Sequence, residues 1–272
     1  MTPAALNSTR KATLTGHGAL SAAAQFWWVA AVIGQAMFLT YIFVAYVPAT
    51  LTGNFAAWPG MIKGYIPGDT AGNLAVGAHM LMAAVVTFGG TLQLVPQFRR
   101  RAPGLHRWIG RIFLVAAIGA ALGGIWMIWV RQATLGTANS YGTTGNALLI
   151  LAFSSLAWRA ALQHDFARHR RWAMRTFIVA NGVWFLRVGA IGVGAAAMGL
   201  GLEIDQDAFF NVMLFACYLV PLAILELYFL AQTGGAAARI AMAVGLSLAT
   251  LLMSVGIGGA WFALFAPALA KL

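Results

Sequence analysis

Acid is scarce in this sequence: six Asp and Glu stand against seventeen Lys and Arg in 272 residues, and charged residues of both signs reach only 8%. An ordinary soluble domain carries roughly 25% charged residues, so that class is excluded. Lysine is rarer still, with Lys11, Lys63 and Lys271 the whole supply. None falls inside an apolar run, which removes the Schiff-base lysine that a retinal protein needs. The single Cys217 forbids an intrachain disulfide and leaves the redox compartment undefined. No H-E-x-x-H pair, G-x-S-x-G elbow or P-loop occurs. Intramembrane zinc proteolysis, serine hydrolysis of that type and ATP-driven transport by this chain alone therefore lack their machinery.

What the chain has in abundance is apolar residues, 61% of the total with a mean hydropathy of +0.81. They fall in long blocks, so lipid must solvate most side chains. Seven blocks approach the roughly 20 residues a spanning helix requires, at about 26–47, 72–95, 108–130, 144–163, 172–198, 208–232 and 239–266. The fourth is the most diluted, by Ser154, Ser155 and Arg159. These blocks predict an all-α integral membrane bundle of about seven transmembrane helices, with residues 1–272 forming one transmembrane domain. Residues 1–25 read as a loose cytoplasmic tail. Val47-Pro48-Ala49 loosely resembles a signal cleavage site, but an apolar stretch of about 22 residues is too long for a signal core and predicts a retained helix. The loop at about 48–71, with Trp58 and Tyr65, is expected on the outer surface with its rings at headgroup level.

Positive charge orients the bundle. Arg10 and Lys11 precede the first span; Arg99, Arg100, Arg101, Arg107 and Arg111 surround the second loop; Arg168, Arg170, Arg171 and Arg175 fill the fourth. The odd loops hold little beyond Lys63 and Arg131, while Glu203, Asp205 and Asp207 share the fifth. The positive-inside rule then places the N-terminus in the cytoplasm, and a bacterial inner (cytoplasmic) membrane is the expected setting. The net charge of +11 does not indicate nucleic acid, because the arginines sit in juxtamembrane loops with no soluble face behind them. Anionic lipid headgroups are the partner that such loops fit.

Two of those loops rhyme: HRWIGR at 106–111 and HRRWAMR at 169–175. Each opens a returning helix, so spans two and three form one hairpin and spans four and five another, packed as a core with spans one, six and seven around it. His106 and His169 then share a depth. Two neutral imidazoles at one level on facing helices suit the axial positions of a haem iron. Arg107, Arg170 and Arg175 would pair with its propionates. His164 is an alternative or supporting ligand. The plain reading of the same residues is an interfacial belt that docks headgroups or a partner. His79 and Arg187 lie at similar depths inside the second and fifth spans and could form a separate polar site, for which Asp69 is the nearest acceptor. Glu226, well inside the sixth span, should stand level with Arg175 and Arg111 and tie that helix to the core. Gly192-Val193-Gly194 and Gly119-x-x-x-Gly123 read as close helix packing.

His79, Leu92-Gln93, the two basic motifs, Arg187 and Glu226 at the end of YLVPLAILE together resemble an uncharacterised bacterial polytopic membrane-protein family over roughly residues 72–230. That resemblance implies an architecture and a residue pattern but no activity. The histidine-bearing core looks, at a distance, like the cytochrome b561 and ferric-reductase-like haem bundles. The outer side offers only His79, so one haem b is expected at most. Two functions follow as expectations. One is a membrane electron-transfer protein with a single b-type haem between His106 and His169, exchanging electrons with a quinone or a partner enzyme. The other is a non-catalytic membrane subunit or small-molecule or lipid-binding protein whose His-Arg motifs dock headgroups or a membrane protein partner.

Overall fold

The computed structural model describes residues 3–55, 58 and 64–270; Pro59, Lys63 and Lys271 lie outside the described residues. The chain is all-helical in its long elements: α1 (Pro3–Leu51), α2 (Thr70–Gln93), the short α3 (Pro96–Arg101), α4 (Pro103–Trp129), α5 (Thr137–Leu162), α6 (Phe166–Ala180), α7 (Gly182–Gly199), α8 (Gln206–Thr233) and α9 (Ala236–Ala260). A π-helical turn at Trp261–Phe265 and α10 (Ala266–Leu269) extend the last helix. Among the described residues, seven stretches are long and apolar enough to cross a membrane: Gly16–Ala49, Thr70–Gln93, Pro103–Trp129, Thr137–Leu162, Gly182–Gly199, Gln206–Thr233 and Ala236–Phe265.

Scarce acids mark the helix starts. Asp69 caps α2 by accepting from the Gly72 amide at 2.9 Å, Asp165 caps α6 through Arg168 at 3.0 Å, and Asp205 caps α8 through Asp207 and Ala208, each at 3.0 Å. A capping carboxylate satisfies amides that the helix leaves open and complements the positive end of its dipole. Prolines at the first turns of α3 and α4 contribute the preset φ that a helix start needs.

Two expectations change here. Residues 3–25 are not a loose tail, because the helix runs from Pro3. From Gly16 onward it has a surface to bury: Leu20 and Ala23 are covered, and Ala23 joins Ala243 and Leu246 of α9 in a small cluster. The fifth span is two helices, broken at Asn181. That side chain donates to the Phe177 carbonyl at 2.8 Å, and Gly182 follows with Asn146 of α5 packed where a side chain would be. A side-chain amide competing for an i−4 carbonyl is a physical cause of bending. α7 alone, at about 1.5 Å per residue, still reaches about 27 Å.

The helices close a ring in the order α2, α4, α5, α8, α7, α9, α1 and back to α2. The two expected hairpins are there as α2 with α4 and α5 with α6, joined through α4 and α5. Past Asn181 the chain leaves α5 and packs on α9 and α8. The α7–α9 crossing is backbone against backbone. A Cβ at Gly192 would lie 2.7 Å from the Leu252 carbonyl oxygen, and one at Gly256 would run into the Val188 carbonyl. Gly119 and Gly123 similarly face Met82 and His79 of α2, whereas Gly194 faces open space. Antiparallel order gathers the arginine loops at one end of the bundle, hereafter the basic end.

Candidate functional site at the basic end

His106 sits one turn into α4, just past the chain reversal at Ala102. Its carbonyl accepts from Gln93 Nε2 at 3.1 Å, its ring meets Phe98 edge-on at 6.3 Å, and its Nδ1 is buried without a hydrogen-bond partner. His169 sits one turn into α6, placed by the Asp165 cap. Its Nδ1 lies 2.9 Å from the Ala157 carbonyl of α5. A carbonyl can only accept, so Nδ1 carries the proton, and in the neutral ring Nε2 keeps its lone pair. This carbonyl-held arrangement is the one that orients metal-ligating histidines. The two imidazoles, from different hairpins, lie within electrostatic reach of each other and of Arg99 on His106.

Both histidines line one cavity of about 2070 Å³ that opens at the basic end. Arg99, Arg107, Arg111 and Arg170 are exposed around its mouth, and none of them has a carboxylate partner among the described residues. Deeper in, the lining turns apolar, with Phe113, Phe177 and Phe185. Four cations at the mouth of an apolar chamber favour an occupant with acidic groups at one edge and an apolar body.

Arg175 does not join them. Its Nε and Nη2 donate to the two Glu226 oxygens at 2.6 and 2.8 Å, and its guanidinium stacks on Trp172 and Phe229 at 4.5 and 5.5 Å. The bidentate pair holds α6 to α8 and takes Arg175 out of the propionate-binding set expected for it. Arg111, expected at the same level, lies over Trp108 instead. His164 adopts a left-handed φ of 58° as the turn residue between α5 and α6, with the Asp165 amide donating to Ala160 at 3.0 Å and the His164 amide to Ala161 at 3.1 Å. That is a helix-terminating role, although the side chain still borders the cavity.

The intramembrane trio His79, Arg187 and Glu226 is not brought together. His79 packs on Gly123 and Gly124 of α4, with the Ala120 carbonyl near its ring and Nδ1 without a partner. Arg187 turns to α1, over the Phe38 ring at 5.3 Å, near Tyr41 and Tyr46, and donates to the Val183 carbonyl at 3.2 Å. Equal depth does not set the direction in which a side chain leaves its helix, and these two leave towards different neighbours.

Sequence reasoning missed a polar knot at the opposite end. Arg131, its side chain only 4% exposed, donates to Asp69 at 2.9 Å, to the Gly64 carbonyl at 3.1 Å and to Asn73 at 3.0 Å. Asn73 in turn braces Ile66 through both its amide and carbonyl groups, at 2.8 and 3.0 Å. Asp69, considered a partner for Arg187, is thus committed to Arg131. The Gly72 amide and then Arg131 hold its carboxyl below the usual carboxylate range. Gly72 leaves the space for this, since a Cβ there would run into the Asp69 carboxylate and the Arg131 guanidinium. The available signal was Asp69 at a helix start with a glycine three residues on.

A family described as predicted membrane protein (DUF2306) matches residues 76–229, more than half of the chain. The chain belongs to that family. No curated protein and no solved structure matches it. The DUF2306 region starts in α2 and ends in α8, so it contains His79, both basic motifs, Arg187 and the Arg175–Glu226 pair. It excludes α1 and α9, whose mutual packing completes the ring. Among the described residues no three His, Cys, Asp or Glu side chains cluster for a metal ion. The His106–His169 pair could supply two axial donors, leaving a macrocycle to provide the rest.

Proposed function

We propose that this multi-pass membrane protein is an electron carrier in which His106 and His169 would hold one b-type haem at the mouth of the basic-end cavity. The observation that carries the reading is the convergence of these two imidazoles on one cavity, His169 with its Nδ1 held by Ala157 and His106 with a buried Nδ1 that lacks a partner. Arg107 and Arg170 at the mouth fit the propionates, and the Arg175–Glu226 pair fixes the helix that presents His169. Gln93, bonded to the His106 carbonyl, holds the start of α4 against α2. A bound haem would supply reversible one-electron chemistry; the chain's own work is to orient the ligands, neutralise the propionates and keep water from the apolar side. The electron partner is a quinone or a membrane enzyme, and the setting is a bacterial inner membrane with the basic end in the cytoplasm.

The test is the absorption spectrum and iron content of detergent-purified protein. The expected result is a Soret band and about one iron per chain, lost in His106→Ala and in His169→Ala but kept in His79→Ala. Colourless, iron-free protein from haem-replete cells overturns the reading.

The exposed arginines at the mouth favour a second reading, a site for an anionic lipid headgroup, with the chain serving as a non-catalytic subunit or binder. That reading gains if the purified protein carries phospholipid that Arg107→Gln and Arg170→Gln release.

A further inference from the structure

The cavity has room for more than one occupant. Single-ligand sites fill about 300–1,000 Å³, and this one, at about 2070 Å³, has room for a second compartment behind the histidines. The level of that compartment follows from contacts. Trp27 meets Phe177 edge-on with ring centroids 6.4 Å apart, and a Cβ at Gly90 would touch both Phe177 and Phe113. Phe113 and Phe177 lie seven and eight residues beyond His106 and His169 on their helices. At 1.5 Å per residue the Trp27–Trp28 level is about 11 Å deeper than the histidines.

At this depth Trp28 borders the cavity, and its indole Nε1 is buried with no hydrogen-bond partner. An indole N–H is a donor only, and a buried donor without an acceptor is costly. Water is a poor acceptor here. A buried water needs two to four polar partners, and the side chains that the contacts place at this level are Trp27, Phe113 and Phe177. Gln25, one turn nearer the mouth, donates Nε2 to Ser21 Oγ, and its Oε1 does not bond Trp28 Nε1. A saturated acyl chain has no acceptor to offer either. Beyond this level the cavity continues between α7, α8 and α9 along Val193, Met213, Cys217 and Leu252, an apolar arm suited to a hydrocarbon tail.

We infer that this deep compartment binds the head of a quinone-class molecule: a flat, uncharged ring whose carbonyl oxygen accepts from Trp28 Nε1–H, with its tail in the apolar arm. The inference rests on the electron-carrier reading for its purpose, and on Trp28, the cavity's size and its apolar depth for its chemistry. It assigns the partner as a lipid-soluble carrier rather than a second protein, and puts that carrier in the same chamber as the histidine pair.

The experiment measures binding of decyl-benzoquinone to the full-length wild-type protein in detergent by equilibrium dialysis, beside decylbenzene, which has the same apolar body without carbonyls. The quinone should bind at least about 10-fold tighter than decylbenzene, the size of one buried hydrogen bond. Trp28→Phe should remove most of that difference while leaving the Soret band and iron content unchanged. Equal binding of the two probes to wild-type protein, or undiminished quinone preference in Trp28→Phe, overturns the inference. The probe comparison needs no variant, so a misfolded Trp28→Phe does not blunt the test. Colourless protein that still prefers the quinone sinks the haem and keeps this site; a Soret band with no carbonyl preference does the reverse.

Discussion

Asp69 shows at the scale of one residue how a chain so poor in acid uses what it has. Its carboxylate accepts from the Gly72 amide in the first turn of α2 and from Arg131 in the loop after α4, and both favour the charged form. The folded carboxyl therefore titrates below its unfolded value near pH 4. Its contribution to stability is complete above that value and is lost as pH falls through the depressed folded one. The thermal midpoint of the wild type should thus drop as pH falls below about 4. Asp69→Asn should start lower at neutral pH and lack the part of the drop that Asp69 causes, so the two curves converge in acid. Parallel curves for wild type and variant would contradict this. The residue scale is also where the sequence was least legible. Glu226 and Arg175 could be matched because both lie in spans and depth can be counted along each helix. Asp69 and Arg131 could not, because each lies in a loop and 62 positions separate them. His79 and Arg187 share a depth but face α4 and α1, and rotation about a helix axis is fixed by packing that hydropathy does not report.

Among the elements, the α7–α9 crossing is the most demanding contact, since two backbones meet there with no side chain between them. Gly256→Val would force the helices apart and should destabilise the bundle by about 1–3 kcal/mol, the range for overpacking a well-filled interface. Gly194→Ala, only two positions beyond Gly192 in the same glycine run, faces open space and should change stability by less than about 0.5 kcal/mol. Denaturation of both variants in one detergent separates a packing glycine from a permissive one; equal losses would contradict the crossing. Sequence pattern revealed that glycines pack here but not which of them. The same limit hid the Asn181 break, because one polar residue barely moves an average over a span. The α1 extension was hidden differently. Residues before 26 are too mixed to read as a span, yet from Gly16 they form one face against α9, a partner more than 200 positions away.

For the whole molecule, the decisive property is an asymmetry of charge between the two ends. Arg99–Arg101, Arg107, Arg168, Arg170 and Arg171 stand at one end, while Glu203 and Asp205 between α7 and α8, and Asp207 in the first turn of α8, lie at the other. Seven crossings put the chain's beginning at the basic end and its last helix turn at the other. If cytoplasmic retention of positive loops decides insertion, the mouth of the histidine cavity faces the cytoplasm, where an electron donor or acceptor in solution could reach it. The near absence of cysteine makes this measurable, because Cys217 is buried and the chain has no other thiol. In a Cys217→Ala background, Arg100→Cys and Asp207→Cys each place one thiol on an exposed position at opposite ends. A membrane-impermeant maleimide added to intact bacterial spheroplasts should label Asp207→Cys at once and Arg100→Cys only after the membrane is opened. The reverse pattern would turn the cavity outward and replace a cytoplasmic electron partner with one outside that membrane. Both assignments of the cavity's contents would survive it, because His106, His169 and Trp28 are placed by the fold rather than by its direction in the bilayer.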